Sequence, residues 1–356
     1  MNSKIKIGII GCGWIVEKAY LPVLLSLKDV EVCAIFDNDP IKLDEIQKEY
    51  NIPNKTTNIY NFLSLSIDAV IIATPNNTHK YYTDMSLNLN KHVLCEKPVA
   101  FSKKDIESSI NISLANRKIF MPAFVNRFRK DISDFGKMVS LVTEIIEVEV
   151  IWNRKSGIPR PGTWITNKAV AGGGVLIDIG THVIDIGLSF ILDKRIESAK
   201  MTYKTTDYAK QKGAEWNNNK RYPQLMMDVE TYANGEVLFS NQTMLKFNVD
   251  WAADINEDIT SIKVVGTNGI ASINTLFGFS NNFVRSNIEI LYNGKSGNKK
   301  IRYPLKNTFA LDAFSDMIKY FVGTINEEKT VESLSISDGI HVVEVIGQLY
   351  ETASVS

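Results

Sequence analysis

The chain has 356 residues, and two domains are expected because one hydrophobic core rarely serves a chain of this length. Lys and Arg together number 40, and so do Asp and Glu, which gives a formal net charge of zero. This balance excludes a general electrostatic attraction to nucleic acid or to an anionic membrane. We see neither a signal peptide nor an apolar stretch approaching the ~20 residues of a membrane span. We therefore expect a cytoplasmic protein whose partner is a small molecule.

Cysteine and histidine usage argues against disulfides and metal sites. The cysteines are odd in number, lack paired spacing and are typical of reduced thiols in a cytosolic protein: Cys12, Cys33 and Cys95. The histidines are far apart and form no metal-ligand pattern: His79, His92, His182 and His341. We expect no metal.

The first third of the chain alternates short β-branched runs with longer amphipathic stretches. The predicted strands are nearly continuous apolar runs, as in strands buried on both faces: Lys4–Ile10, Val30–Phe36, Ala69–Ala73 and His92–Cys95. The predicted helices are Trp14–Leu27, Ile41–Tyr50, Thr78–Leu89 and Lys103–Ala115. This alternation predicts an α/β domain with a Rossmann-type, doubly wound parallel sheet over residues 1–124.

The pattern changes near Asn126. Three further elements are predicted there, a helix, a long strand and a second helix: Arg129–Leu141, Thr143–Trp152 and Val175–Leu192. Strand then follows strand from Met226 to Leu305, with hairpin turns indicated by Asn234-Gly235, Asn268-Gly269 and Asn293-Gly294. The chain ends in two predicted helices, Phe309–Val322 and Ser335–Ala353. Residues 125–356 are thus expected to form an α+β domain with a large, mainly antiparallel sheet, in which Thr205–Pro223 is a surface loop or lid.

A glycine-containing turn follows the first strand and opens a helix. Gly11 permits the tight turn, and Gly13 lets the backbone approach a pyrophosphate at the helix amino terminus, beside Trp14 and Ile15. Asp37 ends the second strand at about the distance where an acid accepts hydrogen bonds from the adenosine ribose. The turn after Asp37 carries no Arg or Lys, so NAD is favoured over NADP. The alternative is that Asp37 caps the next helix.

Polar residues also follow the strand that ends near Ala73. In open α/β sheets, ligands bind beyond the carboxyl ends of the strands, so these residues are expected to line the cofactor: Thr74, Pro75, Asn76 and His79. For the neighbouring Asn77 and Thr78, helix capping is an equally good interpretation.

Two groups of residues carry the predicted chemistry. Glu96 and Lys97 follow the strand His92–Cys95 at the same ligand edge and are expected to contact the cofactor. Lys97 could also hold a substrate hydroxyl and stabilise a developing alkoxide; the alternative is a structural pair between Lys97 and Glu96. Asp178 and His182 are four residues apart and share one face of an otherwise apolar helix. A carboxylate beside an imidazole fixes the tautomer of the ring and favours its charged form, so the pair is predicted to act as a general acid and base.

Residues that flank this segment are candidates for binding the substrate. The arginines suit a phosphate or carboxylate and the tryptophan could stack on a sugar face, although surface or core roles fit them equally well. They are Arg127, Asn153, Arg154, Arg160 and Trp164.

Nearly the whole chain resembles the glucose–fructose oxidoreductase, inositol dehydrogenase and rhizopine-catabolism (Gfo/Idh/MocA) family. The resemblance rests on the glycine turn, Ala73-Thr74-Pro75-Asn76, Glu96-Lys97-Pro98, and the run Gly172-Gly173-Gly174 with Asp178 and His182. It implies that Lys97, Asp178 and His182 are catalytic and that hydride passes between NAD and a hydroxyl-bearing carbon of a sugar or cyclitol. It also implies a homodimer or homotetramer formed through the open face of the second sheet, which we expect to expose apolar area.

Two rival functions stay open. Some relatives that resemble this fold are non-enzymatic NAD sensors, and retention of Lys97, Asp178 and His182 argues against that role. A branch of the family cleaves glycosides through a transient oxidation and would show no net release of NADH.

Overall fold

In the computed structural model of the protein, the described residues are 4–205, 227–280, 282–305, 309–327 and 336–355. Most of the loop predicted over Thr205–Pro223 lies outside them. The chain divides into two compact units, residues 1–125 with 311–340, and residues 126–310 with 341–356.

The first unit contains a six-stranded parallel sheet. Its strands are β1 (Ile5–Ile10), β2 (Val30–Phe36), β3 (Asn54–Thr56), β4 (Ala69–Ile72), β5 (His92–Cys95) and β6 (Phe120–Pro122). The order β3-β2-β1-β4-β5-β6 reverses between β1 and β4, and every observed pairing is parallel. This is the predicted Rossmann-type sheet, in which ligands bind where the strand order reverses.

Helices connect these strands. They are α1 (Leu21–Ser26), α2 (Pro40–Tyr50), α3 (Ile59–Leu63), α4 (His79–Asn88) and α5 (Lys103–Ala115). A π-helical turn, Val16–Tyr20, precedes α1. Val16, at the position where dinucleotide-binding turns usually have a third small residue, begins this turn and is completely buried.

The second unit contains a nine-stranded, mainly antiparallel sheet, as predicted. Its strands are β7 (Ile145–Asn153), β8 (Ile196–Lys204), β9 (Tyr232–Phe239), β10 (Met244–Asp250), β11 (Ile259–Gly266), β12 (Gly269–Thr275), β13 (Asn287–Gly294), β14 (Gly297–Pro304) and β15 (Ser354–Val355). Their order is β14-β13-β12-β11-β7-β10-β9-β8-β15, and the β7–β10 and β8–β15 pairs are parallel.

The remaining helices are α6 (Lys130–Val139), α7 (Lys168–Ala171), α8 (Thr181–Ser189), α9 (Phe309–Asn326) and α10 (Ile336–Glu351). A π-helical turn, Leu176–Gly180, leads directly into α8. The side chains of α8 that face the sheet are fully buried, and a Cβ atom at Gly187 would lie 2.4 Å from Leu245 of β10. Close packing on the sheet therefore fixes this helix.

The observed division differs from the predicted boundary in one respect. Residues 311–340 belong with the first unit rather than with the second. The physical reason is apolar packing: the ring of Phe314 in α9 meets the ring of Tyr20 edge to face at 5.2 Å.

One of the expected hairpin turns is wrong. Asn234-Gly235 lies inside β9, where a Cβ atom at Gly235 would lie 2.6 Å from the carbonyl oxygen of Lys200 and 2.8 Å from the ring of Phe247. This glycine marks a close approach of neighbouring groups within a strand. Asn268-Gly269 does lie at the β11–β12 hairpin, and Asn293-Gly294 ends β13 just before its turn.

The open face of the second sheet is more polar than expected. On the described strands, the side chains that alternate with the buried ones are mostly charged or polar, and ion pairs such as Lys246–Glu147 and Lys200–Glu236 lie among them. Exposed apolar area on this face therefore gives less support to an oligomer than expected, because most of the side chains there are charged or polar. A homodimer or homotetramer stays a prediction that rests on the family resemblance.

The sequence also contains a longer apolar segment than expected. By length and composition alone, the helical stretch Lys168–Ser189 is long and apolar enough to cross a membrane. However, 72% of its most apolar 18-residue segment is buried inside the protein. Core helices of folded domains pass the same test.

Candidate active site

The glycine turn after β1 has the backbone that a dinucleotide requires. Gly11 has φ +97°, and a Cβ atom there would lie 2.4 Å from the carbonyl oxygen of Ala73 at the end of β4. Any side chain at Gly11 would therefore push β1 and β4 apart where the strand order reverses. At Gly13, by contrast, a Cβ atom would meet nothing within 4 Å. The backbone beside Gly13 is thus open for a phosphate to approach.

Asp37 supports this turn directly. Its carboxylate accepts the backbone N–H of Cys12 at 2.7 Å and that of Asp39 at 2.9 Å. Asp39, and not Asp37, caps helix α2, so the capping alternative for Asp37 is wrong. A carboxylate has about four lone-pair sites, so Asp37 keeps capacity for ribose hydroxyls.

A lysine that the sequence interpretation overlooked lies near this turn. Lys42 in the first turn of α2 contacts the carboxylate of Glu17 at 2.5 Å. Since Glu17 already balances the charge of Lys42, this lysine is less suited to bind an additional phosphate.

The Cys12 thiol in the same turn is uncharged. Burial raises the pKa of Cys12 to about 12, and the charge of Asp37 acts in the same direction.

The residues after β4 form a compact loop. The hydroxyl of Thr78 donates to the Pro75 carbonyl oxygen and to Thr74 Oγ1, both at 2.7 Å, and no side-chain cap is seen at Thr78. Asn76 is buried within the same loop. Helix capping therefore does not explain Thr78, which instead fixes the shape of the loop.

His79 joins this loop to the loop after β5. The ring is buried, with Nδ1 2.8 Å from the Pro98 carbonyl oxygen and Nε2 2.8 Å from the Thr74 carbonyl oxygen. Burial lowers the pKa of His79, against the effect of these two carbonyl groups. Both ring nitrogens thus lie within hydrogen-bonding distance of backbone carbonyl oxygens, and His79 links the two loops. Its contact with the cofactor stays a prediction.

Glu96 has an unexpected partner. Its Oε1 accepts the Tyr20 hydroxyl at 2.7 Å, and its Oε2 accepts the backbone N–H of Lys97 at 3.3 Å. Burial raises the pKa of Glu96, although both hydrogen bonds and the charge of Lys97 oppose this. The Lys97–Pro98 peptide bond is cis, and the Lys97 side chain is half-buried. Tyr20 therefore orients the acid that precedes the proposed catalytic lysine.

Asp178 and His182 lie on the helical segment that opens with the second π turn. Asp178 is inside that turn and His182 is in the first turn of α8. The indole Nε1–H of Trp251, which is completely buried, donates to Asp178 Oδ2 at 2.9 Å. The ring of His182 lies 6.0 Å from the ring of Trp152 in β7. Trp152 in β7 and Trp251, directly after β10, thus flank the predicted acid–base pair. π turns are frequent at functional sites.

A third ionisable residue on α8 was overlooked. Asp185 is almost completely buried and binds the guanidinium of Arg127, whose Nε lies 2.9 Å from both carboxylate oxygens. Its spacing of three from His182 on an apolar helix was a sequence signal that could have revealed it. Since Asp185 satisfies the charge of Arg127, this arginine is less suited to bind an anionic substrate than expected.

The other candidate substrate residues have varied surroundings. The Arg154 side chain is mostly buried, with Nε 4.0 Å from Asp258 Oδ2, and a Cβ atom at Gly157 would lie 2.8 Å from its guanidinium. Asn153 ends β7, and no partner for its buried Oδ1 is found among the described residues. Trp164 is partly exposed, as a stacking platform for a ligand must be. The backbone carbonyl oxygen of Arg160 accepts the Thr163 N–H at 3.2 Å and the Thr163 hydroxyl at 2.8 Å.

Glu230 and Tyr350 are functional candidates that no sequence pattern indicated. The Glu230 carboxylate is buried and accepts the backbone N–H groups of Gly174 and Leu176, where the helical segment with Asp178 begins. The Tyr350 hydroxyl donates to the same carboxylate at 2.8 Å. Within the described ranges, no cluster of three or more His, Cys, Asp or Glu residues could hold a metal ion.

Comparison with known proteins identifies similar oxidoreductases. A protein of Amycolatopsis mediterranei (strain S699), provisionally assigned as a UDP-kanosamine synthase oxidoreductase subunit, is 28% identical over 283 residues, 78% of this chain and 77% of its own. The D-glucoside 3-dehydrogenase of Escherichia coli (strain K12) is 26% identical over 266 residues, 72% of this chain and 73% of its own.

The fold is also shared with a solved structure. A 3-ketoreductase from Actinomadura kijaniata, solved in complex with NADP and TDP-benzene, superposes with a TM-score of 0.79, covering 99% of each chain at 17% identity. At that identity the likeness shows the fold alone.

Family assignment rests on both parts of the chain. Residues 5–124 match the oxidoreductase family with an NAD-binding Rossmann fold, and residues 142–272 match the GFO/IDH/MocA C-terminal domain. These ranges contain the glycine turn, Lys97, Asp178 and His182. The chain therefore belongs to the Gfo/Idh/MocA family of NAD(P)-binding oxidoreductases.

Proposed function

We propose that the protein is an NAD-dependent oxidoreductase that transfers a hydride between nicotinamide and a secondary alcohol or ketone carbon of a sugar, a sugar derivative or a cyclitol. The observation that carries the proposal is the turn after β1. Gly11 is required there for close packing, Gly13 leaves the backbone open, and Asp37 holds the turn with a carboxylate that can accept further hydrogen bonds. These residues fit a dinucleotide, which when bound supplies the hydride acceptor or donor.

NAD is proposed over NADP on electrostatic grounds. Asp37 and Asp39 place two carboxylates at the end of β2, and Lys42 is paired with Glu17. An added 2′-phosphate would be repelled by these carboxylates, and Lys42, already paired with Glu17, is poorly suited to offset that repulsion.

The acid–base chemistry is assigned to the second unit. His182 is proposed to take the hydroxyl proton of the substrate during oxidation and to return it during reduction. Asp178 is proposed to orient the imidazole, and Trp251 holds its carboxylate in place. Lys97, in the first unit, is proposed to bind the reacting oxygen and to stabilise the negative charge that develops on it.

The substrate class is proposed from the relatives and from the available side chains. One relative is a D-glucoside 3-dehydrogenase, and another carries the name of a nucleotide-sugar enzyme subunit. Trp164 could stack on a sugar ring, while Arg154 and Asn153 are proposed to contact polar groups of the substrate. D-Glucosides and nucleotide sugars are therefore the first compounds to test, with C3 the first carbon to examine in the product.

A substrate screen tests the proposal. Sugars, D-glucosides, sugar phosphates, nucleotide sugars and inositols are incubated with NAD and the protein, and NADH absorbance is followed. On the best substrate, His182→Ala should lower turnover by roughly 10²–10⁴-fold, the usual contribution of a positioned general base. NAD affinity should stay unchanged, because His182 belongs to the unit without the glycine turn. Lys97→Ala should also lower turnover, whereas the control His341→Ala should not.

The rival functions give different results in the same screen. Cleavage of a glycoside without net NADH would indicate transient oxidation, and tight NAD binding with no turnover of any compound would indicate a regulator. Wild-type turnover in His182→Ala across the neutral pH range would contradict its role as the base.

A further inference from the structure

The helical segment that carries Asp178 and His182 begins at a glycine run that is held by distant residues. Gly173 and Gly174 pack so closely that a Cβ atom on Gly173 would lie 1.9 Å from the Tyr350 hydroxyl oxygen, and one on Gly174 would lie 2.0 Å from the Glu230 carbonyl oxygen. Neither position tolerates a side chain without moving Glu230 or Tyr350. The glycines are therefore explained by this contact.

The Glu230 carboxylate satisfies several donors at once. Gly174 N–H lies 3.0 Å from both of its oxygens, Leu176 N–H donates to Oε1 at 3.1 Å, and the Tyr350 hydroxyl donates to Oε1 at 2.8 Å. The backbone of the same residue accepts the Val175 N–H at 2.9 Å. Glu230 thus meets the amino-terminal N–H groups that a helix cannot satisfy itself, and a negative charge is stabilised at that end of a helix.

A second connection leads from the same stretch of chain to Asp178. Thr231, the next residue, accepts the backbone N–H of Trp251 at 3.0 Å through its carbonyl oxygen. The indole of Trp251 in turn donates to Asp178 Oδ2 at 2.9 Å. Residues 230 and 231 therefore hold the proposed catalytic segment at two points, its first turn and the carboxylate of Asp178.

We propose that Glu230 and Tyr350 are positioning residues, which hold the first turn of the helical segment so that Asp178 and His182 keep their catalytic placement. The proposal rests on the oxidoreductase function proposed above. Neither residue is assigned contact with substrate or cofactor. Tyr350 lies in α10, so the carboxyl-terminal helix contributes to catalysis through this hydrogen bond.

Three variants test the proposal. Glu230→Ala removes the acceptor and leaves buried N–H groups unsatisfied. Glu230→Gln keeps the shape and one acceptor oxygen at the same place, and Tyr350→Phe removes one donor while keeping the ring. The control is Thr243→Val, which removes a buried hydroxyl that donates to the Ile145 carbonyl oxygen elsewhere in the sheet.

Turnover and cofactor affinity are measured first. In Glu230→Ala, kcat should fall on the order of 10²-fold, as expected for slight misplacement of catalytic groups, while the NAD dissociation constant stays unchanged. Tyr350→Phe should lower kcat less, and Glu230→Gln should restore most of the loss. If Glu230→Ala does not fold, the kcat values of Tyr350→Phe and Glu230→Gln are compared with that of the wild type. Both should be lower than the wild-type value.

A substrate-free readout separates this proposal from the function itself. The indole N–H of Trp251 gives an NMR signal, identified by its loss in Trp251→Phe, that reports the hydrogen bond to Asp178. The signal should shift in Glu230→Ala and Tyr350→Phe but not in Thr243→Val. If the variants shift this signal but the protein oxidises no tested substrate, the proposed oxidoreductase function is refuted. The positioning of Asp178 by Glu230 and Tyr350 is then still supported. An unshifted signal with wild-type kcat in both variants would overturn the positioning role.

Discussion

His92 should make the stability of the protein depend on pH between pH 4 and 6.5. The ring nitrogen Nδ1 of His92 in β5 accepts the backbone N–H of Ile119 at 3.0 Å, so the folded protein requires this nitrogen to be unprotonated. Burial, with help from the charge of Lys118 and against that of Asp68, lowers the pKa of His92 from 6.5 to about 4. The folded state therefore binds this proton less readily than the unfolded chain.

The sign and size of the effect follow from that difference. Between pH 6.5 and about 4, the unfolded chain carries the proton and the folded protein does not, so stability falls as pH falls through this window. At about 1.36 kcal/mol per pKa unit the upper limit is about 3 kcal/mol. Partial exposure of the ring reduces this to an expected contribution of about 1–2 kcal/mol.

Urea unfolding followed by circular dichroism measures the effect. His92→Asn should retain an acceptor for the Ile119 N–H through the amide oxygen and has no titrating group in this range. The wild type should lose about 1–2 kcal/mol relative to this variant between pH 7 and 4.5, because other titrating groups cancel in the difference. His341→Asn, at a histidine in α10 outside this sheet, serves as the control. A difference between wild type and His92→Asn that stays constant with pH would refute the reasoning.

Two further predictions concern the cofactor turn. Gly11→Ala should destabilise the protein by about 2 kcal/mol or more and lower its melting temperature, because φ +97° disfavours a side chain and the Cβ atom would contact Ala73. Gly13→Ala is its matched control: it should leave the melting temperature unchanged yet weaken NAD binding, and equal destabilisation by both would contradict the assignment of open space at Gly13. Asp37→Ser combined with Asn38→Arg should shift binding toward NADP in calorimetric titrations, and tighter NADP than NAD binding by the natural protein would contradict the proposed preference.

Local patterns in the sequence predicted much of the first unit because its elements are strongly encoded. The bounds of β2, β5 and α5 were predicted to the residue, since each is a continuous apolar run or an amphipathic stretch that starts at a clear signal, such as the Ser102 cap of α5. The strands β3 and β6 were not predicted. Each of these strands has three residues, too few to show a periodicity in the sequence. Each becomes a strand only through hydrogen-bonded pairing with a neighbouring strand.

The residues of the candidate site also differ in whether local sequence patterns reveal them. The glycine turn, Lys97 and the Asp178–His182 pair are contiguous or evenly spaced in the sequence, so local reasoning could identify them. Tyr20 and Glu230 could not be identified in that way, because their partners lie 76 residues and 54 to 120 residues away. Their importance depends on the tertiary contacts, and nothing in their immediate sequence surroundings distinguishes them from ordinary polar residues.

The two π turns have a consequence for aligning this chain with its relatives. A π turn closes its hydrogen bonds over one residue more than an α turn, so a helix that contains one is equivalent to an α-helix with a single inserted residue. In Val16–Tyr20 and Leu176–Gly180 this extra residue lies beside the dinucleotide turn and around Asp178. Against a relative whose helix is purely α-helical at either place, a gapless alignment would shift the residues on one side of the turn by one position. A one-residue gap inside each helix would restore the correspondence of the residues that follow, including His182.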